Sequence, residues 1–553
     1  MKYIKVGSQF FTLILLLVFS FLVRLSVSLV GFNPDIRSWS EVSKILMEGH
    51  VVYVHTQWYN YGPIWAYILG FIGHILSYFQ FIQDYQFHLA VALFLSIVDV
   101  LISFTLFKVW GKLPAALYLL NPVSILITGY HSQFDNLAVL VGLWSWLLLK
   151  KFIDSRMLKF LYFSALLLGM SLMIKHILFF LPLWVLFLLW WKKIPLKHII
   201  SFVVICYVIF FSGFVIEIIR NPEKNYNVVA GITSFVFQYK GSYGRSALLS
   251  LINMFYPPVF FEWFFSWTPI FKGYQFILVI CLSISGFILT KKTNDVMLIF
   301  LYYLFAVFGF SPIVADQYFA IPLVGIAVLY RRLSVMMFSV VGTLYLLTGP
   351  SANISNYVPY FMNLNIGNIV IPFFPWIFTY RPIDLQVQGW ILLEIILITV
   401  FAFYQFSSRM EFKIVEKVIG ILSEFLKNKI LFLLIVFFIL VDVSILLFSY
   451  QFVANRRPMT IQIEKAYYGV SCVGKGVDAS MIVSQQCNGE KECTFPIEYK
   501  DPSPSCQKDL YVEWNCGNKG FVNAYPFVYL EPGFKSKELK IACPIPLYYK
   551  MPE

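Results

Sequence analysis

The sequence predicts an all-α polytopic membrane protein of about thirteen transmembrane helices that ends in a small disulfide-rich β domain. Two observations predict the helical part: the chain of 553 residues is 59% hydrophobic and only 13% charged, and its mean hydropathy is +0.74. Many of its apolar runs have the roughly 17 to 25 residues that cross a hydrocarbon core. Six cysteines within roughly the last hundred residues predict the β domain, because this density is typical of small disulfide-stapled folds.

The first predicted element is a membrane helix that ends near Val30. A short basic segment, MKYIKVGSQ, precedes it, and no small-residue cleavage site follows. This pattern predicts an uncleaved signal anchor with its N-terminus in the cytoplasm. The polar segment that begins GFNPDIRSWSEV is therefore expected on the extracytoplasmic side, and Asp35 lies within it.

About twelve further spans follow from the apolar runs and from Lys and Arg, which favour cytoplasmic loops. They are predicted at residues 89–107, 113–130, 137–149, 160–174, 178–191, 199–219, 274–289, 296–310, 319–329, 335–347, 390–403 and 430–448. The apolar stretch 63–80 is predicted to lie along the membrane surface, because the later loops then alternate correctly. Loops 220–272 and 349–388 are expected outside. The same bias accounts for the formal net charge of +13, so we expect no nucleic-acid partner.

Cysteine usage divides the chain into a membrane module at 1–450, a linker at 451–460 and an extracytoplasmic domain at 461–553. Cys206 and Cys281 lie inside apolar runs and are expected to be inert thiols. The cysteines expected to form three disulfides in an oxidising compartment are Cys472, Cys487, Cys493, Cys506, Cys516 and Cys543. Six cysteines allow fifteen pairings, and the sequence leaves the pairing open.

Two acidic side chains are singled out by their position relative to the membrane. Asp35 follows a proline just beyond the first span, where a carboxylate can act as a general base; the alternative is a solvated loop residue. Asp99 lies in the middle of a predicted span. An acid there either serves a functional site or pairs with a polar group on a neighbouring helix, so Asp99 is assigned to substrate binding or structure.

Polar side chains also gather at the outer ends of two predicted spans. His131, Gln133 and Asp135 fall within one short turn after an Asn-Pro break, and Asp316 and Gln317 lie at a second helix end. We expect these residues to bind substrate. The alternative is that they cap ordinary connections between spans.

Basic side chains on the outer side run against the usual charge bias, and this predicts an anionic ligand such as a phosphate. Lys175 stands between two apolar runs; the alternative is that it snorkels to the interface. Lys240 and Arg245 lie in a glycine-containing loop with Tyr239 and Tyr243, a composition that suits phosphate and sugar binding.

No Walker sequence, no GxGxxG, no HExxH and no zinc-type Cys/His spacing occurs in the chain. We therefore predict neither a metal site nor a resident cofactor, and the sequence leaves a divalent cation open. An activated sugar used on the outer face would have to arrive on a lipid carrier, because nucleotides are not supplied there.

In their order, these motifs resemble the GT-C superfamily of polytopic glycosyltransferases, which use polyprenyl- or dolichyl-phosphate sugars. The resemblance is closest to the bacterial mannosyltransferase-like proteins related to the second GPI mannosyltransferase. An Asp after the first span corresponds to Asp35, and a mid-membrane Asp to Asp99. An Asn-Pro followed by Gln-x-Asp corresponds to Asn121-Pro122 and to Gln133 with Asp135.

Two further motifs extend the resemblance over about residues 1 to 350. A Lys before a proline-containing span looks like Lys175 with Pro182, and a Tyr-x-Gly-x-x-Gly loop looks like residues 239–244. The chain departs from the family where Tyr243 replaces the usual Trp and where Asp316 stands at a position that often holds His.

The resemblance implies an inverting transfer of a sugar, with mannose expected, from a polyprenyl-phosphate donor to an extracytoplasmic glycan, lipid or protein. Asp35 would be the catalytic base, and Lys175, Lys240 and Arg245 would bind the donor phosphate. The implied location is the plasma membrane or an ER-like membrane, with the bilayer, the lipid-linked sugar and the acceptor glycan or glycolipid as partners. A transporter or flippase of lipid-linked glycans is the alternative, as is a membrane-anchored glycan-binding protein.

The tail has a separate resemblance. The pieces AYYGVSC, CNGEKECTF and KDLYVEWNC are similar to the galactose/rhamnose-binding lectin domain, a small disulfide-stapled β fold. This implies a lectin-like domain at 461–553.

Overall fold

The computed structural model describes most of the membrane module up to residue 328 and parts of the tail. The described residues are 2–33, 35–56, 59–79, 84–220, 225–237, 274–293, 295–309, 316–328, 435–447, 460–468, 477–496, 510–515, 527–530 and 538–542, with isolated positions at 338–339, 342–343, 346 and 433. This part of the chain is mostly helical, with a small antiparallel β component.

The helices of the N-terminal half alternate between long apolar elements and short connecting turns. They are α1 (Lys2–Val30), α2 (Asp35–Met47), α3 (Val52–His55), α4 (Pro63–Tyr78), α5 (Asp84–Trp110), α6 (Lys112–Leu119), α7 (Pro122–Leu126), a π-helical turn (Ile127–His131), α8 (Asp135–Ser155), α9 (Leu158–Ile174), a 3-10 turn (His176–Leu178), α10 (Leu181–Trp191) and α11 (Leu196–Arg220).

Further helices follow in the later described ranges. They are α12 (Asn225–Gly231), a second π-helical turn (Ile232–Phe237), α13 (Tyr274–Lys292), α14 (Val296–Gly309), a 3-10 turn (Asp316–Ala320), α15 (Leu323–Val328), α16 (Ile435–Leu447) and, in the tail, α17 (Ser480–Cys487).

Three of the described helices, α5, α8 and α11, are long and apolar enough to cross a membrane. The number rises to five if each of two bent pairs is one span, namely α1 from Ile14 with α2, and α6 with Pro122–His131. These helices agree with a membrane protein. The total of about thirteen spans and their sidedness stay predictions.

The predicted span at 113–130 is not one straight helix. Its axis bends by 48° between α6 and the segment that begins at Pro122. Proline has no N–H to donate to the preceding turn, so α6 ends at Leu119 and a new helix starts. The Asn121 side chain caps that helix by accepting a hydrogen bond from the N–H of Val123 at 3.0 Å. The break allows the following residues to leave the helix direction.

Close packing joins the long helices into one hydrophobic core. Helix α8 lies against α9, and α9 lies against α11. At Gly169 a Cβ atom would stand 2.6 Å from the carbonyl oxygen of Cys206, so α9 and α11 approach each other with no room for a side chain there. Helix α4, predicted to lie at the membrane surface, starts with proline at its first position and packs against α2 through buried Trp65.

The described residues of the tail form two antiparallel sheets. A four-stranded sheet has the order β2-β1-β4-β5, and a two-stranded sheet pairs β3 with β6. The strands are β1 (Gln462–Tyr468), β2 (Val477–Asp478), β3 (Glu492–Pro496), β4 (Leu510–Asn515), β5 (Phe527–Leu530) and β6 (Glu538–Ala542). Their core, which includes Ala466, Val512 and Trp514, is separate from the helical core.

One disulfide of the predicted framework falls in the described part of the tail. It joins Cys487, at the end of α17, to Cys493 in β3. Cys472, Cys506, Cys516 and Cys543 lie outside the described residues, so the other two predicted bonds stay predictions. Cys206 and Cys281 are free thiols, as expected.

Candidate functional site

Asp35 is the first residue of α2, and its side chain is half-buried. The side chain of Asn33 precedes it and accepts a hydrogen bond from the Asp35 N–H at 2.9 Å. The backbone N–H of Asn33 in turn donates to the carbonyl oxygen of Tyr130 at 3.3 Å. A carboxylate at the start of a helix is favoured by the unpaired N–H groups of the first turn. The sequence Asn-Pro-Asp therefore holds Asp35 against the segment around residue 130.

The segment that faces Asp35 has an unusual backbone. It begins as the π-helical turn Ile127–His131, and Ser132 then adopts a left-handed conformation with φ 51° and ψ 34°. Non-glycine residues rarely adopt this conformation, and π-helical turns occur often at functional sites. Hydrogen bonds of the Ser132 hydroxyl stabilise this conformation. Its Oγ lies 3.0 Å from His88 Nδ1 and 3.4 Å from the carbonyl oxygen of Thr128.

The two segments meet through side-chain hydrogen bonds. Gln133 Nε2 donates to Asp35 Oδ2 at 2.7 Å, and Asn33 Nδ2 lies 2.9 Å from His131 Nδ1. Because Asn33 Oδ1 already accepts from the Asp35 N–H, the Asn33 amide nitrogen must donate to His131. Nδ1 of His131 is therefore an acceptor, and the proton of the neutral ring lies on Nε2.

Two buried polar atoms of this cluster are unpaired within the described chain. Neither Nε2 of His131 nor Oε1 of Gln133 has a hydrogen-bond partner among the described residues, and both side chains are fully buried. A buried donor or acceptor without a partner costs free energy, and such atoms are typical of sites that bind water or a polar ligand. The cluster therefore offers a ligand one hydrogen-bond donor, Nε2–H of His131, and one acceptor, Oε1 of Gln133.

Lys175 forms the second part of the site. Its Nζ lies 2.6 Å from Asp135 Oδ2, and both side chains are almost inaccessible to solvent. The ammonium also faces the rings of Tyr61 and Phe134, each at 4.9 Å, and the ring of Tyr318 at 5.4 Å. Lys175 does not snorkel towards an interface, because it points into a cage of aromatic rings.

Phe134 connects the two parts, since it stands between Gln133 and Asp135 in the chain. Its ring stacks on Trp65 with a centroid distance of 4.3 Å and an interplanar angle of 12°. Trp39 of α2 meets the same ring edge-on at 5.8 Å. These large apolar contacts fix the turn against α2 and α4. Gln133 and Asp135, which flank Phe134, are therefore fixed together. Their contacts with Asp35 and Lys175 are fixed with them.

Asp99 belongs to a different cluster. Its Oδ2 lies 2.9 Å from Nε of Arg24, and both side chains are 1% exposed. Both carboxylate oxygens accept further hydrogen bonds, from Tyr118, Thr128, Asn136 and Ser124. The cluster joins α1, α5, α6, α7, the π-helical turn and α8. Because these protein groups satisfy the carboxylate, the geometry favours the structural role among the two predicted for Asp99.

The remaining predicted residues are placed in part. Gln317 lies in the 3-10 turn Asp316–Ala320, which packs on the π-helical turn and on α8 and contributes Tyr318 to the cage around Lys175. The side chain of Asp316 lies outside the described residues. So do Tyr239, Lys240, Tyr243 and Arg245, whose predicted roles in sugar and phosphate binding stay predictions.

Sequence reasoning missed three charged or polar residues that the structure makes prominent. Asn33 bridges Asp35 and His131. Arg24 was treated as part of the first apolar run, although a cation inside such a run signals a buried partner. Asp442 in α16 carries the same signal; it is fully buried, lies within electrostatic reach of Arg24, and has no hydrogen-bond partner among the described residues.

No group of three or more His, Cys, Asp or Glu side chains in the described ranges could hold a metal ion. Comparison with known proteins adds nothing to the assignment, since no family model and no curated protein matches the chain.

Proposed function

We propose that the chain is an inverting glycosyltransferase that moves a sugar, with mannose expected, from a polyprenyl-phosphate donor to an extracytoplasmic acceptor. The observation that supports this most directly is the Asp35 carboxylate. It is half-buried, it begins a helix, and it accepts a hydrogen bond from the buried Gln133. A solvated loop residue would not need so defined an environment, whereas a general base does.

In the proposed reaction, the acceptor hydroxyl donates its hydrogen bond to Asp35. As the carboxylate takes the proton, the hydroxyl oxygen attacks the anomeric carbon from the face opposite to the phosphate. The bond between the anomeric carbon and the phosphate oxygen breaks, and its electron pair stays on the phosphate. The products are a glycoside of inverted configuration, the polyprenyl phosphate and a protonated Asp35.

The leaving phosphate requires positive charge, and we assign this role to Lys175, Lys240 and Arg245. Lys175 has three N–H donors, of which Asp135 uses one, so a phosphate oxygen can share the ammonium with that carboxylate. The surrounding rings exclude water, and this strengthens a contact between the ammonium and a developing negative charge.

The decisive experiment is the exchange of Asp35 for asparagine. Asparagine keeps the shape and can still accept the Gln133 hydrogen bond, but it cannot take a proton. We expect Asp35→Asn to lose transfer by at least about 100-fold, the lower end of general-base contributions, with an unchanged unfolding midpoint. Transfer is measured with the purified full chain and a labelled polyprenyl-phosphate sugar.

Asp154→Asn is the matched control, because Asp154 is an exposed acid whose only ion pair in the described chain is with Lys150. It should transfer sugar at the wild-type rate. Near-normal turnover by Asp35→Asn would remove Asp35 from the mechanism. If labelled lipid crosses liposomes and no glycoside forms with the wild-type protein, the transporter alternative replaces the enzyme.

A further inference from the structure

We propose that Gln133 is a positioning residue that holds the Asp35 carboxylate in its reactive orientation. The left-handed conformation of Ser132 directs the Gln133 side chain towards Asp35. This inference rests on the proposed function, because it assigns Gln133 to the same reaction. It concerns a side chain that acts through Asp35 and does not itself touch the reacting atoms.

Gln133 contacts the Asp35 carboxylate directly. Gln133 lies 98 positions from Asp35 in the sequence, and its Nε2 donates to Asp35 Oδ2 at 2.7 Å. Gln133 is fully buried while Asp35 is half-buried. The amide therefore reaches the carboxylate from a fully buried position.

An amide side chain carries a cost at position 133. Oε1 of Gln133 has no partner among the described residues, so the side chain leaves a polar atom unsatisfied in a fully buried place. An apolar side chain of the same length would avoid this penalty. Within the described chain, the hydrogen bond to Asp35 offsets this cost, and an apolar side chain would not supply it.

The backbone that leads to Gln133 has an unusual conformation. The chain leaves the π-helical turn through Ser132 at φ 51°, and the N–H of Gln133 then donates to the carbonyl oxygen of Ile127 at 3.2 Å. A residue in this conformation stores strain that the surrounding contacts must overcome. The strain has a clear consequence here, since the redirected chain brings Gln133 to Asp35.

The expected chemical effect is on protonation. A hydrogen bond donated to a carboxylate favours its charged form, which is the form that can act as a base. Without Gln133, Asp35 should bind its proton more readily and should also rotate more freely. We therefore expect the rate of sugar transfer to fall. In the plot of this rate against pH, the acidic limb should move towards higher pH.

The experiment compares Gln133→Met with the wild-type full chain. Methionine has a similar length and no donor. A carbodiimide that reacts with protonated carboxyl groups labels Asp35, and mass spectrometry follows the labelling from low to high pH. In Gln133→Met the midpoint should lie about one pH unit higher, the size expected for one hydrogen bond to a charged group. The acidic limb of the plot of kcat against pH should move by the same amount.

Gln86→Met is the control, because it makes the same exchange at a half-buried position of α5. Its midpoint should equal that of the wild type. If Gln133→Met does not fold, Gln133→Asn tests the same point, since the shorter amide cannot reach Asp35. An unchanged midpoint and an unchanged acidic limb in the folded variant would overturn the inference.

The labelling experiment needs no turnover, so the two proposals can fail separately. A shifted midpoint with no glycoside formed by the wild-type protein would support the positioning of Asp35 by Gln133 and reject the glycosyltransferase. Transfer that depends on Asp35 but is the same in Gln133→Met, with the same midpoint, would reject the positioning role alone.

Discussion

The charge of Lys175 is already balanced by Asp135, so two roles are open to it: a phosphate ligand or one half of a structural ion pair. The pair is almost completely buried, and Nζ lies 2.6 Å from Oδ2. Removal of one partner from such a pair leaves an isolated buried charge, which costs more than the loss of the pair as a whole. This asymmetry allows the two roles to be separated.

We expect Lys175→Met to lower the free energy of unfolding by about 3–5 kcal/mol, and the double variant Lys175→Met with Asp135→Leu to recover a large part of it. Unfolding midpoints and the donor KM are measured on the single and double variants. If Lys175 binds the donor phosphate, the double variant regains stability and keeps a raised donor KM. A normal donor KM in the stable double variant would restrict Lys175 to structure.

Ser132 provides a second prediction for a single residue. Glycine adopts φ 51° without strain, whereas a β-branched residue does not. Ser132→Val should therefore be less stable than Ser132→Gly by about 1–3 kcal/mol and should lose most of its sugar transfer. Unfolding midpoints and turnover measure the two effects. Equal activity in the two variants would show that the turn does not position the site.

Candidate site residues could be selected from the sequence because polar side chains are rare in this chain and stand out at the ends of apolar runs; their roles stay predictions. Asp35, Gln133, Asp135 and Lys175 were all identified in this way, and the structure brings them onto one turn and its neighbours. Their pairing could not be predicted. The Asn33 amide, for example, acquires its role only by meeting His131, 98 positions away.

At the scale of elements, the Arg24–Asp99 cluster holds the first helices together. Hydrogen bonds from Arg24 also reach Ser124 Oγ at 2.7 Å and the carbonyl oxygen of Leu119 at 3.0 Å, on both sides of the Asn-Pro break. The guanidinium therefore bridges α1, α5 and the bent span. A planar cation with several donors suits this task, and lysine would not replace it.

We expect Arg24→Met to destabilise the protein by about 3–5 kcal/mol, and Arg24→Met with Asp99→Leu to be less destabilised than the sum of the two single variants. The free energy of unfolding of the full chain in detergent measures both. Lys150→Met, at an exposed ion pair, is the control and should change it by less than about 1 kcal/mol. If the destabilisation of the double variant equals the sum of the two single variants, Arg24 and Asp99 do not act as a pair.

The bent span illustrates what the sequence pattern could and could not predict for an element. Apolar length predicted one span at 113–130, and the break at Asn121-Pro122 was visible in the sequence. The π-helical turn and the left-handed Ser132 were not predictable, because tertiary contacts with α1 and with His88 of α5 stabilise them. Hydrophobic periodicity reports burial, and it is silent about such local departures.

At the scale of the whole molecule, composition predicted the division into a helical part and a β tail, since apolar runs and cysteines occupy different regions. Among the described residues, the helices and the sheets form separate hydrophobic clusters, and the domain boundaries stay predictions. The number of spans is a weaker prediction, because several described helices are shorter than a hydrocarbon core and the chain between 347 and 432 lies outside the described residues.

The β tail leads to the last prediction. A catalytic site at the membrane surface reaches only acceptors that stay nearby, and a tethered glycan-binding domain would raise their local concentration without taking part in the chemistry. The linker predicted from the sequence has only about ten residues, which favours a high effective concentration. Deletion of residues 459–553 should therefore raise the acceptor KM several-fold, leave kcat largely intact and leave the donor KM unchanged.

Steady-state kinetics of the truncated and full chains measure these three constants, and the unfolding midpoint of the helical part provides the control. A tail that only covers the membrane module predicts a different pattern: the midpoint falls and the acceptor KM does not change selectively. The core of the sheets argues against such dependence, because Val512 and Trp514 belong to a hydrophobic cluster that, among the described residues, is distinct from the helical core. An unchanged acceptor KM, or a kcat close to zero, would contradict the recruitment of acceptors by the tail.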